Sequence, residues 1–255
     1  MPRGRRQSPE SKHPRCWLSL LWAVYALVYD VLLVLKPYTD TLRRVCEVLE
    51  EARSQSVLDA GCGTGNLGLY AANHKVGSIL GIDSSRVMLA LAKFKKRLLR
   101  ERMELSHFSW ADLNLPATLP EERFDAIVSI GALHAVHDPQ SAAHHLVRRL
   151  SPGGTLVLVL PRPVSMAGII REHLRTAGRW RLVLSFISLP LFALSMIINL
   201  IEESWAKREE VHFLSEGDAR KLVEQTGVRV RECALIFGNA YTLVVGDKPA
   251  NDNAA

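Results

Sequence analysis

Two hydrophobic patterns alternate along the middle of the chain. Short apolar runs bounded by polar or glycine-rich turns predict buried strands, and stretches with an apolar residue every three or four positions predict amphipathic helices. Strands are expected near 56–60, 79–83, 105–110, 124–130 and 154–160, and helices near 38–52, 65–73, 85–101 and 139–149. Strands that alternate with helices in this way indicate an α/β fold with a parallel sheet.

The first predicted strand ends in a glycine-rich turn. Asp59 closes the strand, and Gly61, Gly63 and Gly65 follow at alternate positions before a helix-like segment. Glycines allow a tight turn and let a ligand lie against bare backbone. The second predicted strand ends at Asp83, about 20 residues further on, where a carboxylate can accept the hydroxyls of a ribose. The pattern therefore indicates a nucleotide-type site, although its G-x-G-x-G spacing differs from the dinucleotide fingerprint.

The sequence of this turn and the strand before it, VLDAGCGTG, resembles the first motif of the class I S-adenosylmethionine (SAM) methyltransferases. Four further segments resemble that family's later motifs in the right order: 79–83, 108–113, 124–129 and 150–156. The resemblance implies a Rossmann-like, mostly parallel sheet of seven strands. A helix from about 215 to 227 and antiparallel strands at 228–236 and 241–245 would complete that sheet.

The resemblance also implies SAM as the cofactor and assigns residues to it. The glycine turn would approach the methionine part, Asp83 the ribose, Asp112 the adenine amine and Leu113 the adenine edge. The full set of expected cofactor-binding residues is Asp59, Gly61, Cys62, Gly63, Gly65, Asn66, Asp83, Ser84, Asp112, Leu113 and Ser129.

Candidates for catalysis lie before the first strand and after the fourth. His134 follows the fourth strand, where parallel sheets expose ligand-binding residues, and an imidazole titrates near neutrality. Its surroundings resemble an L-H-H-V-x-D-P pattern of small-molecule methyltransferases, in which the histidines are often structural. Tyr29 and Tyr38 resemble lead-in tyrosines that form a wall over the cofactor in that family.

The distribution of charge and of cysteines limits which partners and metal or disulfide sites we expect. Net charge is +6, and the first 16 residues hold five basic side chains against one acid, so the remainder is nearly balanced. We therefore expect an anionic membrane surface and no nucleic acid as a partner. The four cysteines show no ligand spacing, so neither a disulfide framework nor a metal site is expected.

A long apolar stretch precedes the α/β region. Residues 17–35 have almost only apolar side chains, and about 19 helical residues nearly span a hydrocarbon core. Asp30 interrupts the run, and Ser19, Ala23, Ala26 and Asp30 form a small or polar stripe suited to packing on the core. The helix is expected to end at Pro37. It can lie in the membrane interface, span the bilayer or cover the core as an ordinary helix.

A second apolar stretch is an insertion of about 50 residues after the fifth strand. It contains Arg171, Arg175, Arg179 and Arg181, followed by 182–201 without a charge. A simple crossing is not expected, because the last two strands must return to the same sheet. Two short helical arms broken near Pro190 would instead dip into one leaflet, with the arginines at headgroups and Trp205 as an anchor. A buried cap and a dimer interface are the alternatives.

These segments predict six regions and a function. The regions are a basic disordered tail (1–16), membrane-associated or cap helices (17–51), a SAM-binding core (52–162), a hydrophobic insertion (163–213), the completing helix and strands (214–247) and a tail (248–255). The expected protein is a methyltransferase on the cytoplasmic face of a membrane, peripheral or monotopic. Its substrate would be lipophilic, by preference the amino headgroup of a phospholipid or aminolipid. Alternatives are a prenylated quinone or other small hydrophobic metabolite, methylated on C or O, and a non-catalytic SAM-binding membrane module.

Overall fold

One mixed sheet forms the centre of the molecule. A computed structural model describes residues 26, 28–162, 167–194, 197 and 212–250 of the 255-residue chain. The strands of these residues are β1 (Ser56–Ala60), β2 (Ser78–Asp83), β3 (Ser106–Trp110), β4 (Phe124–Ile130), β5 (Leu150–Pro161), β6 (Arg229–Ile236) and β7 (Tyr241–Asp247). Their order is β3-β2-β1-β4-β5-β7-β6, and within this sheet β7 runs antiparallel to both of its neighbours. The predicted fold class is confirmed.

Helices lie on both faces of the sheet and in the insertion after β5. They are α1 (Lys36–Glu51), α2 (Asn66–Ala71), α3 (Arg86–Leu98), α4 (Pro139–Arg148), α5 (Ala167–Thr176), α6 (Arg179–Ile187) and α7 (Glu216–Glu224). Alternate residues of each central strand face opposite layers, as in β4, where Ile127 packs toward α4 and α7 and Val128 toward α1 and α2. This two-sided burial explains why the central strands are continuous apolar runs.

Strand β5 begins earlier than its sequence pattern predicts. It starts at Leu150 rather than near 154, and the pairing with β4 shifts between Phe124 and Ala126. Gly153 has φ +75°, so the irregular start of β5 uses a conformation that glycine adopts at little steric cost.

The chain before β1 differs from the single helix predicted for 17–35. Residues 28 and 29 are helical, Asp30–Val34 form a 3-10 helix, and Leu35 is extended. The preceding 3-10 helix therefore ends at Val34, before Pro37, and Pro37 lies in the first turn of α1, where its missing N–H is not needed. Ala26 and Asp30, two members of the predicted small or polar stripe, face the core. Ser19 and Ala23 lie outside the described residues.

The insertion contains three helical stretches in the part that the structure describes. Helices α5 and α6 are followed by a turn at Ser188 and helical residues at 189–194. The break thus precedes Pro190 by two residues. Trp205 lies outside the described residues. Over the described residues, no helix combines the length and apolarity that a membrane crossing requires.

Candidate active site

The glycine turn packs closely on its surroundings. Gly61, Gly63 and Gly65 all have positive φ, at +81°, +52° and +79°. A β-carbon on Gly61 would lie 2.2 Å from Cβ of Ala132 in the loop after β4. The amides of Gly61 and Cys62 donate to the carbonyl of Ile82 in β2. Neighbouring strand ends therefore fix this turn, and side chains at Gly61 and Gly65 would displace their neighbours.

Asp83 connects the glycine turn to α3. One carboxylate oxygen accepts the amide of Gly63 at 2.9 Å, and the other accepts the amide of Ser85 at 2.8 Å. Burial raises the pKa of this carboxyl, and the two amide hydrogen bonds partly oppose the rise. The side chain remains half-buried, so it can present oxygen atoms to a ligand at the carboxyl end of β2.

Asp59 is the most unusual charge in the site. It is only 3 % exposed, and burial, followed by the charge of Asp83, raises its pKa to about 7. Two carboxyls near one turn therefore disfavour each other's ionisation. A bound cation would reverse that effect, since it stabilises both ionised forms.

The segment before α1 lies over the turn. The ring of Tyr29 lies 3.6 Å from the position that a β-carbon on Gly63 would take. Asp30 forms an ion pair with Lys95 at 2.8 Å and accepts hydrogen bonds from Thr64 and Asn66. Thr64 and Asn66 belong to the turn and the start of α2, so Asp30 attaches the segment to the site.

Comparisons with known proteins agree with this geometry. A family described as "Methyltransferase domain" matches residues 58–156. A demethylmenaquinone methyltransferase of Oceanobacillus iheyensis is 24% identical over 212 residues, which are 82% of each chain. A magnesium protoporphyrin IX methyltransferase from Synechocystis PCC 6803, solved with bound SAH, has a TM-score of 0.57 at 16% identity and covers 83% of this chain and 84% of its own.

The chain is a class I SAM-dependent methyltransferase. A phosphatidylethanolamine N-methyltransferase of Cereibacter sphaeroides is a further relative, 30% identical over 141 residues. That alignment covers 54% of this methyltransferase and 63% of the relative.

The residues of the turn fit the SAM cofactor. SAM has a cationic ammonium group and a cationic sulfonium, which supplies the methyl group when bound. The paired carboxyls of Asp59 and Asp83 suit such a ligand, because each has a raised pKa that a nearby positive charge would lower. Asp59, Asp83 and the backbone of the glycine turn would therefore hold the cofactor.

Several expected cofactor residues have structural partners in this methyltransferase. The hydroxyl of Ser129 is fully buried and donates to the carbonyl of Ala60, so it joins β4 to β1, and its contact with the cofactor stays a prediction. The buried amide of Asn66 donates to Asp30 and to the Tyr38 hydroxyl, and it accepts from Lys95. A side-chain contact from Asn66 to the cofactor would have to replace these bonds. The buried thiol of Cys62 packs against Gly81.

The other expected cofactor residues lie at the ends of β2 and β3. Asp112 accepts the backbone and side-chain amides of Asn114 through one oxygen, which shapes the turn after β3. Leu113 packs at the edge of the core, and the carbonyl of exposed Ser84 accepts the indole N–H of Trp110. Cofactor contacts by these residues stay predictions.

The candidate catalytic residues occupy two separate places. The hydroxyls of Tyr29 and Tyr38 lie 3.5 Å apart beside the turn, and burial raises the pKa of Tyr38 to about 12. His134 belongs to the loop after β4, where its ring packs against Phe213. Burial, assisted by His212, lowers the pKa of His134 to about 4. Its Nδ1 has no hydrogen-bond partner among the described residues.

Lys95 is the site residue that sequence reasoning missed. It appears in a run of basic residues on α3 that suggests a solvated face. Its position follows Met88 and Ala92 by seven and three residues, so helical spacing places it on the same buried side. Its ammonium donates to Thr64 in the turn and to Asn66 at the start of α2, and burial lowers its pKa.

Proposed function

We propose that this methyltransferase transfers a methyl group to a lipophilic, membrane-resident substrate. The preferred substrate is the amino headgroup of a phospholipid or aminolipid. The anionic surface of the cytoplasmic leaflet would be its partner, and the protein would associate with it peripherally or as a monotopic protein. A prenylated quinone ring or another small hydrophobic metabolite is the second candidate.

The exposed apolar surface of the insertion is the observation on which the proposal rests. Trp180 is 83% exposed, Phe186 75% and Ile187 68%. Further large apolar side chains of the insertion are also exposed: Ile170, Leu174, Val183, Leu184, Leu189, Leu191, Leu194 and Ile197. Large exposed apolar patches mark protein or membrane interaction sites, and so many exposed apolar side chains in one insertion support such a site here.

Charge around the surface favours a lipid membrane over a protein partner. Arg171 and Arg175 are exposed on α5, next to an uncharged stretch that runs from 182 to 201. Arginines beside an apolar helical face suit the level of lipid phosphates. Residues 17–25, which lie outside the described residues, are also almost wholly apolar in sequence.

The pKa of His134 favours an amine over a phenol or ring carbon as the nucleophile. A general base works best with a pKa near the operating pH, and that of His134 is about 4. An amine headgroup is mostly an ammonium ion at neutral pH and would react from its small neutral fraction, which has lost its proton to water and whose lone pair needs no protein base. A phenol or ring carbon would instead have to give up a proton during the reaction. Relatives of both substrate kinds exist, as the phosphatidylethanolamine and demethylmenaquinone enzymes show.

Isotopically labelled SAM incubated with the full-length protein and a total lipid extract tests the proposal. Mass analysis should find the label on an aminophospholipid. Label on a quinone would refute the headgroup preference. Absence of label in every lipid, with label in a water-soluble metabolite, would contradict the lipid proposal and indicate that the insertion covers a small-molecule site.

A further inference from the structure

We propose that Arg181, in the insertion, is a positioning residue for the cofactor site. It fixes one end of the 3-10 helix Asp30–Val34, whose other end lies over the glycine turn. The insertion would thereby set the affinity of the protein for SAM. This inference needs the cofactor assignment but not the proposed lipid substrate.

The cofactor end of this 3-10 helix is held by Asp30. Its carboxylate accepts the Thr64 hydroxyl at 2.6 Å and the Asn66 amide at 3.1 Å, and it pairs with Lys95. Lys95 in turn donates to Thr64 and Asn66, so four side chains form one network beside the turn. Tyr29, adjacent in sequence, lies against Gly63.

The opposite end of the 3-10 helix is held by Arg181. One guanidinium nitrogen lies 3.1 Å from the carbonyl oxygen of Leu33, 3.2 Å from that of Val34 and 3.3 Å from the Thr39 hydroxyl. The last carbonyls of a helix lack partners within it, and a cation there is favourable. Arg181 therefore faces the protein, and it is not the headgroup contact that the sequence predicts.

His173 makes a second connection between the insertion and the same segment. Its Nδ1 accepts the backbone amide of Lys36 at 3.0 Å, so the proton lies on Nε2, which donates to the Ser185 hydroxyl at 2.7 Å. That hydroxyl donates to the carbonyl of Arg181. Helices α5 and α6 thus reach residues 33–36 through two neighbouring contacts.

These end contacts matter because the segment between them is short. A 3-10 helix of five residues has poor hydrogen-bond geometry and little stability of its own. Within it only Val31 is fully buried, whereas Leu32 and Leu33 are partly buried against the core. Freeing the Arg181 end should let the Tyr29–Asp30 end move away from the glycine turn.

The test measures binding of the demethylated cofactor product, SAH, to the full chain by calorimetry, without any substrate. Arg181→Met should raise the Kd for SAH about tenfold, the usual effect of losing a hydrogen bond from a charged group. Asp30→Asn should raise it by a similar factor. Because both act on one segment, the double variant should bind more tightly than the product of the two single effects predicts. Arg181→Lys, which keeps a cationic donor, should recover part of the loss.

Arg43→Met is the matched control, since Arg43 lies on neighbouring α1 and pairs with Asp40 at the surface. It should leave the Kd for SAH unchanged. Two results would overturn the proposal: an Arg181→Met protein with the wild-type Kd, or effects of Arg181→Met and Asp30→Asn that multiply independently. If Arg181→Met does not fold, hydrogen exchange of wild type decides. Amides of 30–35 and of α6 should both gain protection with SAH, and unchanged α6 amides would contradict the proposal.

Discussion

At the scale of single residues, the glycine turn depends on what surrounds each glycine. Gly61 and Gly153 have similar positive φ values, +81° and +75°. A β-carbon on Gly61 meets Ala132 at 2.2 Å, whereas one on Gly153 meets nothing within 4 Å. Substitutions at Gly153 and Gly61 can therefore distinguish the cost of backbone strain, which both share, from the cost of a steric clash, which arises only at Gly61.

We expect Gly153→Ala to lower the free energy of unfolding by about 1 kcal/mol, from the φ angle alone. Gly61→Ala should lower the free energy of unfolding by about 1–3 kcal/mol more than Gly153→Ala does. It should also abolish SAH binding, because the turn must shift. Denaturant unfolding and calorimetry measure the two effects. Equal stability losses in the two variants would show that the contact with Ala132 relaxes freely.

We expect Asp59 to release a proton when the cofactor binds. With a pKa of about 7 it is half protonated near neutrality, and a cationic ligand favours its ionised form. SAM affinity should therefore rise as the pH increases from about 5.5 to 7, with release of up to about half a proton at pH 7. Calorimetry in two buffers of different ionisation enthalpy measures this release. Asp59→Asn should abolish it and weaken binding, and an unchanged release in that variant would assign the proton to another group.

We expect the buried ring of His134 to make the free energy of unfolding fall at acidic pH. Its pKa in the folded protein is about 4, below the value of about 6.5 in an unfolded chain, so the unfolded state binds the proton first. The contribution of neutral His134 to the free energy of unfolding is present above pH 6.5. It is lost as the pH falls toward 4, at up to about 1.4 kcal/mol per pH unit. Denaturant unfolding of wild type and His134→Gln over this range should show a shallower slope for the variant. Parallel slopes would mean that the ring gains solvent or a partner before unfolding.

At the scale of elements, helix α6 has two faces with different tasks. Arg181 and Ser185 contact the protein, while Trp180 and Phe186 point outward. A helix with one docked polar face and one exposed apolar face suits a surface that lies on a membrane and stays attached to the core.

The double variant Trp180→Ser/Phe186→Ser tests the exposed face. Exposed substitutions usually change the free energy of unfolding by no more than about 0.5 kcal/mol, so stability should be preserved. Binding to vesicles that contain anionic phospholipid should fall about tenfold or more, since two large apolar side chains no longer leave water. Sedimentation with vesicles measures this loss. Unchanged vesicle binding together with a change in oligomeric state would assign the face to a dimer.

The sequence predicts the central elements well and the lead-in segment poorly. Strands β1 to β4 follow from short apolar runs bounded by turns, and helix α4 follows from its cap, Asp138 before Pro139. The 3-10 helix after Tyr29 depends on Asp30, whose partners Thr64 and Asn66 are 34 and 36 residues away. Local periodicity contains no information about such contacts, so an α-helix that continues through residues 30–35 is the natural but wrong prediction. The same reason explains why Lys95 and the inward direction of Arg181 escape sequence analysis.

At the scale of the whole molecule, the two apolar additions contact each other at residues 33–36, one short 3-10 helix away from the glycine turn. The segment before α1 covers the glycine turn, and the insertion after β5 contacts that segment through Arg181 and His173. The exposed apolar face therefore belongs to the element that also supports the cover of the turn. A lipid contact on α6 and a cofactor at β1 would affect each other through a few residues, and such coupling is reciprocal.

The most direct measurement compares methyl transfer from labelled SAM to one headgroup in two physical forms. The substrates are an aminophospholipid in vesicles and its short-chain, water-soluble analogue, given to wild type and to Trp180→Ser/Phe186→Ser. Our account predicts methylated product from both forms with wild type. For the variant, it predicts a methylation rate about tenfold below that of wild type on vesicles and equal to that of wild type on the soluble analogue. Equal rates of the two proteins on vesicles, or no methylation of the amine in either form, would contradict it.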